Sequence, residues 1–252
     1  IPLSSKNPEI DKLAQNKPRV VVLNKSDLSD KAKLNKWISY YQSKGIKAIP
    51  VDTLKGNGVN KIVEECKNAT KEKMDALKEK GRKERAIRVM IVGVPNVGKS
   101  SLINKLTGRK STQTGDRPGV TKGKQWVRLK GNLELLDTPG ILWPKFEDQK
   151  IALNLAFTRA IKDEILDIDT LGLKFIEKMS EIEPEKLKAR YKLDSLGEEP
   201  LETMEMIGRK RGFILGRNEL DYTRIAKTVL NEFREGKLGQ ITLEVPEDIE
   251  EA

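Results

Sequence analysis

The stretch Gly93-Val-Pro-Asn-Val-Gly-Lys-Ser100 decides the fold, because it fits the pattern G-x-x-x-x-G-K-[ST] without a gap. Residues 87–92 before it form an apolar run that predicts a buried parallel strand, and residues 100–106 after it have helical spacing. A strand, a glycine loop and a helix start in this order aim backbone N–H groups at one point. The sequence therefore predicts a doubly wound, mostly parallel α/β sheet that binds a di- or triphosphate.

The residues of this phosphate loop have separate predicted roles. The Lys99 ammonium would neutralise the β- and γ-phosphates, and the Ser100 hydroxyl would hold Mg²⁺. The backbone of the loop and of the first helical turn would surround the phosphates. The residues predicted to contact the nucleotide here are Asn96, Val97, Gly98, Lys99, Ser100 and Ser101.

The composition limits the classes of partner and compartment. The 252 residues carry a net charge of +10, which favours a polyanionic partner, nucleic acid before membrane, although it would also suit plain solubility. Cys66 is the only cysteine, which excludes a disulfide framework and predicts a reducing, cytoplasmic location. No apolar run approaches the length of a membrane span, and no histidine is present to act as a general base.

A second strand prediction, over residues 19–23, leads directly into Asn24-Lys-Ser-Asp27. The Asn24 amide could tie loops together, and the Lys25 stem could lie on the face of a base. The Asp27 carboxylate can accept from both N1–H and N2–H₂ of guanine, whereas adenine offers no such pair of donors. This tetrad therefore predicts specificity for GTP and GDP.

A third predicted strand, residues 47–51, ends at Asp52 and Thr53, and its position suggests that this loop reaches the guanine O6. The polar residues 111–124 are predicted to form a switch loop, in which Thr121 would join the Mg²⁺ shell when the γ-phosphate is present. Thr112 and Thr114 are alternatives to Thr121.

A predicted strand pair, residues 125–129 and 133–136, delivers Asp137-Thr-Pro-Gly140. Asp137 would bind Mg²⁺, through water, and the Gly140 N–H would contact the γ-phosphate. The base motif thus precedes the phosphate loop, the reverse of the usual GTPase order, which predicts a circularly permuted sheet. Such a sheet has about six strands. Since five are found, the sixth is expected upstream of Ile1 together with a helix.

These motifs, with Pro118-Gly-Val-Thr121 and the continuation of Asp137-Thr-Pro-Gly to Pro144, resemble the circularly permuted GTPases of the YlqF/YawG type. The resemblance implies slow GTP hydrolysis, stimulated by the large ribosomal subunit whose late assembly it serves. It also implies K⁺ at Asn96, for which a simple loop hydrogen bond is the alternative. Ile141 occupies the position of the usual water-orienting glutamine, so that task falls to an upstream segment, a switch residue or the ribosome.

Residues 1–160 are thus predicted to form the GTPase domain, and residues 161–252 a helical domain with an acidic tail. Its basic side chains are predicted to contact rRNA phosphates of the subunit precursor, and the chain is expected to be a monomer. The predicted RNA-binding residues are Arg209, Lys210, Arg211, Arg217, Arg224, Lys227, Arg234 and Lys237.

Two other functional classes fit parts of the sequence. A GTP-regulated module that binds a protein or membrane complex would use the same nucleotide motifs, with hydrolysis incidental. A kinase would also use the phosphate loop, but it needs an acceptor pocket for which the sequence offers no constellation of charged residues. The salt dependence of binding separates RNA docking from the first alternative.

Overall fold

The computed structural model describes residues 1–15, 17–82, 85–108, 125–129, 131–137 and 148–249, without the side chains of Gln125 and Asp137. The chain divides into two compact units. The α/β unit comprises Pro2–Lys145 and Glu244–Ala252, and the helical unit comprises Phe146–Leu243 and Ile1. This division falls between residues 145 and 146, whereas the predicted domain boundary lies between 160 and 161.

The α/β unit alternates strands and helices in the order that the motifs predict. Its elements are α1 Ile10–Ala14, β1 Val20–Asn24, α2 Lys31–Ser43, β2 Lys47–Val51, α3 Val59–Glu79, β3 Ile87–Met90, α4 Lys99–Thr107, β4 Gln125–Leu129 and β5 Leu133–Asp137. The predicted α/β class is confirmed. The N-cap of α2 is Asp30, whose carboxylate accepts from the Lys33 N–H at 2.8 Å.

The strands of the described residues pair as two sheets rather than one. β1 and β2 are parallel, with Asn24 opposite Val51. The other sheet has the order β3-β5-β4, in which β3 and β5 are parallel and β4 is antiparallel to β5. The carboxyl ends of β1, β2, β3 and β5 all lead into the predicted nucleotide motifs, as the switch-point rule for α/β sheets requires.

One apolar cluster unites both sheets with the helix of the phosphate loop. Leu102 and Leu106 of α4 pack with Ile49 and Val51 of β2, and Cys66 lies at its margin. Burial raises the pKa of the Cys66 thiol, so the side chain stays protonated and behaves as a small core residue. The helical spacing read from residues 100–106 therefore corresponds to a buried face of α4.

The helical unit has its own core, centred on Phe175, Ile176, Ile225, Val229 and Leu230. Its regular elements are α5 Gln149–Phe157, α6 Ile168–Ile182, α7 Pro184–Tyr191, α8 Pro200–Arg211 and α9 Tyr222–Arg234. Short 3₁₀ turns lie at Asp163–Ile165 and Gly216–Asn218. Among the described residues, no helix is both long and apolar enough to cross a membrane.

The acidic tail, residues 246–252, belongs to the α/β unit together with Glu244 just before it. The buried Glu244 carboxylate accepts from the Leu3 and Ser4 N–H groups and from the Ser4 hydroxyl. The Trp37 indole N–H donates to the Glu244 carbonyl at 3.0 Å. The assignment of the tail to the helical domain therefore disagrees with these contacts, which a count of acidic residues does not reveal.

A buried carboxylate joins three elements of the helical unit. Glu232 accepts from Arg190 of α7 through two bonds of 2.6 and 2.9 Å and from Arg211 of α8 at 3.0 Å. The Arg190 hydrogen bond is the main cause that lowers the pKa of Glu232 below its ordinary value of 4.5. The stabilisation that the ionised Glu232 gives to the fold is therefore complete above its ordinary value of 4.5. It is lost as the pH falls through the lowered pKa of the folded state.

We expect the substitution Glu232→Gln to lower the free energy of unfolding by about 2–4 kcal/mol at pH 7, because two arginines then lose their charged partner. The difference from the wild type should narrow as the pH falls through the lowered pKa of Glu232, because the native carboxyl then also becomes neutral. Denaturant unfolding over an acid pH series and at pH 7 measures the difference. The control is Glu235→Gln, since the Glu235–Lys237 pair is exposed. Equal destabilisation by the two variants would contradict the prediction.

Candidate functional site

The phosphate loop begins after β3 and ends at the first turn of α4. Gly98 is the N-cap of α4 at φ 95°, a conformation that favours glycine. The Lys99 Nζ donates to the Gly93 carbonyl at 2.8 Å and to the Val94 carbonyl at 2.6 Å. The two bonds hold the ammonium charge against the loop backbone, so it is already in place for an anionic ligand.

Asn24 connects the base motif to the phosphate loop. Its Nδ2 donates to the Val97 carbonyl at 2.8 Å, across seventy-three positions of sequence. Its Oδ1 accepts from the Thr53 hydroxyl at 2.6 Å. Three stretches that the sequence marks separately are therefore joined by one amide side chain, as the tying role predicted for Asn24 requires.

The two loops that follow β1 and β2 run side by side. Lys25 has a left-handed backbone at φ 57°, and the next N–H, of Ser26, donates to the Val51 carbonyl at 3.1 Å. Asp27 lies one residue further along. This arrangement places the tetrad beside the Asp52–Thr53 segment, where a base held by Asp27 would be bordered by both loops.

Asp52 is buried and shapes its own loop. Its carboxylate accepts from the Lys55 N–H at 3.0 Å, and its carbonyl accepts from the Gly56 N–H at 2.7 Å. This loop holds Leu54 in solvent, 83% exposed, next to the anchored Thr53. No sequence pattern predicts that Leu54 is exposed, because a leucine directly after a strand is usually a core residue.

The remaining predicted site residues are only partly placed. Thr121, Gly140 and Ile141, together with Thr112 and Thr114, lie outside the described residues. Asp137 is the last residue of β5, directly after Leu136, which pairs with Met90 at the end of β3. The phosphate loop and the Asp137 backbone therefore follow neighbouring parallel strands.

The oxygen donors that the sequence predicts for Mg²⁺ are Ser100 and Asp137. In the part of the chain that the structure describes, no group of three or more His, Cys, Asp or Glu residues could hold a metal ion. Mg²⁺ is usually held by one or two protein oxygens with phosphates and waters. Ser100 in the first turn of α4 and Asp137 at the end of β5 are of this type.

A methyl group at Gly98 would collide with the Asn24 amide. A Cβ there would lie 2.3 Å from the Asn24 Nδ2. We expect Gly98→Ala to weaken GDP binding at least about tenfold, because both the φ angle and the Asn24–Val97 bond must change. The control is Gly108→Ala, at the other end of α4, where φ is also positive but no atom lies within 4 Å. Titration with a fluorescent GDP measures both, and equal losses would contradict this account.

The predicted RNA-binding residues separate into two groups in the structure. Arg234 is committed inside the helical unit, because its guanidinium binds Asp163 through two bonds of 2.8 Å and the carbonyls of Ala156 and Phe157. Its side chain is only 11% exposed. Arg211 binds Glu232, as described above. The remaining predicted residues are exposed: Arg209, Lys210, Arg217, Arg224, Lys227 and Lys237. Of these, Arg209 and Lys237 lie within ion-pair distance of Glu205 and Glu235.

Comparisons with known proteins agree with this geometry. The Ribosome biogenesis GTPase A of Bacillus cereus is 48% identical over 251 residues, which cover 100% of this chain and 85% of the relative. The chain belongs to the ribosome biogenesis GTPase A family. The member from Thermotoga maritima is 31% identical over 233 residues, covering 92% of this chain and 78% of that protein.

A solved structure and a family model agree with the assignment to ribosome biogenesis GTPase A. The GDP-bound structure of T. maritima YlqF has a TM-score of 0.67 at 26% identity, covering 98% of this chain and 91% of that one. A model described as "50S ribosome-binding GTPase" matches residues 88–202. The match begins after Asn24-Lys-Ser-Asp27, which is consistent with the permuted order of motifs. The predicted family and the P-loop GTPase fold are confirmed.

Proposed function

We propose that this protein binds GTP, hydrolyses it slowly and acts as a switch in late assembly of the large ribosomal subunit. The single observation that carries the nucleotide assignment is the bond between the Asn24 amide and the Val97 carbonyl. It brings the guanine motif and the phosphate loop together, as one ligand with a base and a phosphate chain requires. The names of the relatives supply the ribosomal part of the proposal, and the site of action is then the cytoplasm.

The residues divide the work by chemistry. Lys99 and the loop N–H groups neutralise phosphate charge, while Asp27 reads the guanine edge and Asn24 fixes the distance between them. Ser100 and Asp137, with Thr121 in the GTP state, would hold Mg²⁺, which supplies further charge neutralisation at the phosphates. Gly140 is proposed to contact the γ-phosphate.

Slow turnover follows from the residue at position 141. An isoleucine side chain neither donates nor accepts a hydrogen bond, so Ile141 does not orient the attacking water. We expect the isolated chain to hydrolyse GTP very slowly and large ribosomal subunits to accelerate it. Rapid turnover by the isolated chain, unaffected by any substitution within residues 111–124, would contradict this mechanism.

Asn96 is proposed to hold a K⁺ ion beside the phosphates. It has a left-handed backbone at φ 58°, next to the carbonyl that Asn24 engages. A monovalent cation here would stabilise the charge that develops during hydrolysis. Turnover should then be faster in KCl than in NaCl at equal ionic strength, and Asn96→Ala should remove the difference. Equal rates in the two salts would contradict a K⁺ site and would indicate that Asn96 makes only a loop hydrogen bond.

The ribosomal role is tested by depletion and by binding. Cells depleted of the protein should accumulate immature large subunits in sucrose gradients. The protein should co-sediment with these particles in the presence of a GTP analogue, less so with GDP, and binding should weaken steeply with salt. Normal gradients on depletion would overturn the assembly role, and binding that ignores salt would favour a protein or membrane complex as the partner.

A further inference from the structure

Helix α2 of the α/β unit has a one-sided charge. Residues 31–47, from the start of α2 to the start of β2, contain five lysines and no aspartate or glutamate. Lys36, Tyr40 and Lys44 follow one another at intervals of four residues along α2 and its C-cap, so they lie on the same side of the helix. We name these three residues the α2 face. Lysines that alternate with an aromatic ring are typical of surfaces that bind single-stranded nucleic acid.

The aromatic ring of the α2 face is held in one orientation. Tyr40 is half-buried and makes edge-to-face contacts with the buried rings of Trp37 and Tyr41, at centroid distances of 5.7 and 5.4 Å. The Lys44 ammonium lies 5.8 Å from the centroid of the Tyr40 ring. The ring therefore presents a fixed surface to solvent with a positive charge beside it.

The described part of the acidic tail lies on the same helix. The 3₁₀ turn Pro246–Ile249 contacts α2, and Ile249 packs against the cluster that contains Trp37. The Glu247 carboxylate accepts from the Lys36 Nζ at 2.8 Å. A carboxylate of the chain itself therefore binds one of the two lysines of the α2 face. This contact shows which kind of ligand the face accepts, namely an extended segment with negative charges.

The tail is held firmly, but its contact with Lys36 is not. The Asp248 carboxylate accepts from the Val245 N–H at 2.7 Å and closes the turn, next to the buried Glu244. The pair between Glu247 and Lys36 is instead open to solvent, with side-chain exposures of 61% and 55%. Exposed ion pairs contribute little to stability and are screened by salt. Glu247 can therefore leave Lys36 while the rest of the turn stays in place.

We propose that the α2 face binds single-stranded RNA, with Lys36 and Lys44 on phosphates and the Tyr40 ring against a base, and that Glu247 competes with the RNA for Lys36. The tail contact is then autoinhibitory, because a polyanion must displace Glu247 before it gains the full site. This inference goes beyond the proposed function and does not depend on it, since none of these residues is assigned to GTP.

The α2 face is tested by binding of the full chain to a fluorescent oligouridylate over a range of salt concentrations. Lys44→Gln should reduce the slope of log K against log salt by about 0.7, because one contact with a single-strand phosphate is lost. Tyr40→Leu should bind about tenfold more weakly with an unchanged slope, because a stacked base releases no counterion. Inorganic polyphosphate, which has charge but no bases, should bind more weakly and should not respond to Tyr40→Leu.

The competition by the tail is tested by Glu247→Lys. Reversing this charge frees Lys36 and adds a cation beside it, so affinity for the oligouridylate should rise about tenfold at about 0.1 M salt. The matched control is Glu177→Lys on α6, because Glu177 also forms an exposed pair, with Lys174 at 2.7 Å. It changes the net charge equally but should raise the affinity much less.

Three results would overturn the inference. Equal gains in Glu247→Lys and Glu177→Lys would mean that only net charge matters. Wild-type affinity of a folded Tyr40→Leu, or polyphosphate binding as tight as that of the oligouridylate, would exclude contact with a base. Melting curves check folding, and the exposed Lys44 tests the same face if Tyr40→Leu does not fold, because an unchanged salt slope would then exclude it. GDP titration and the sucrose gradients test the proposed function separately.

Discussion

Replacing Lys99 by alanine should weaken GTP binding and hydrolysis by about a hundredfold or more, the largest effect of any single lysine in this chain. Its ammonium lies against the Gly93 and Val94 carbonyls, so the charge is placed before the ligand arrives. A pre-placed charge in a phosphate site costs no reorganisation during reaction, and loss of one such donor typically lowers rates about 10²–10³-fold.

The measurement is single-turnover hydrolysis together with titration of a fluorescent GTP analogue. Lys73→Ala is the control, because Lys73 is an exposed lysine of α3 and tests for the effect of net charge alone. Melting curves without nucleotide should be similar for the two variants. Retention of near wild-type affinity by Lys99→Ala would show that phosphates bind elsewhere, and the assignment of the loop would be wrong.

Replacing Asp27 by asparagine should exchange the base specificity. The carboxylate is proposed to accept two hydrogen bonds from guanine, and each bond to a charged group contributes about 1.5–3 kcal/mol, so GDP affinity should fall about a thousandfold. The new amide can donate to the 2-carbonyl of xanthine. Binding of xanthosine diphosphate should therefore improve in the same variant.

Competition between GDP and xanthosine diphosphate against a fluorescent probe measures both changes at once. Asp75→Asn serves as the control, since this exposed aspartate of α3 removes the same charge away from the site. A uniform loss of affinity for both nucleotides would indicate damage to the loop rather than lost recognition of the base. Unchanged GDP affinity would place the base away from Asp27.

The sequence predicts local structure well where one short segment contains the whole pattern. Residue types in a fixed local order predict the helix after the phosphate loop and the strands that precede the motifs. They also predict that Asn24 ties loops together. The division into two sheets does not, because pairing between strands depends on which neighbour is available in space. The N-cap of α2 at Asp30 is also a matter of loop geometry.

Long-range partners account for the remaining differences. The sequence predicts Arg234 to be a surface cation at the end of an amphipathic helix. Its side chain instead binds the carboxylate of Asp163, which is seventy-one positions away. Glu244 lies just before the acidic tail, yet its carboxylate accepts from backbone N–H groups near the other end of the chain. No local pattern distinguishes a free charge from one that is satisfied at such separations. The sequence therefore predicts RNA contact for Arg211 and Arg234, although both bind carboxylates within the helical unit.

The bond between Asn24 and Val97 crosses from the two-stranded sheet to the loop of the three-stranded one. A guanine nucleotide would bridge the same seam, with its base against one sheet and its phosphates against the other. A change in the separation of the two sheets at this seam would then alter the affinity for the base and for the phosphates together, because one nucleotide spans both.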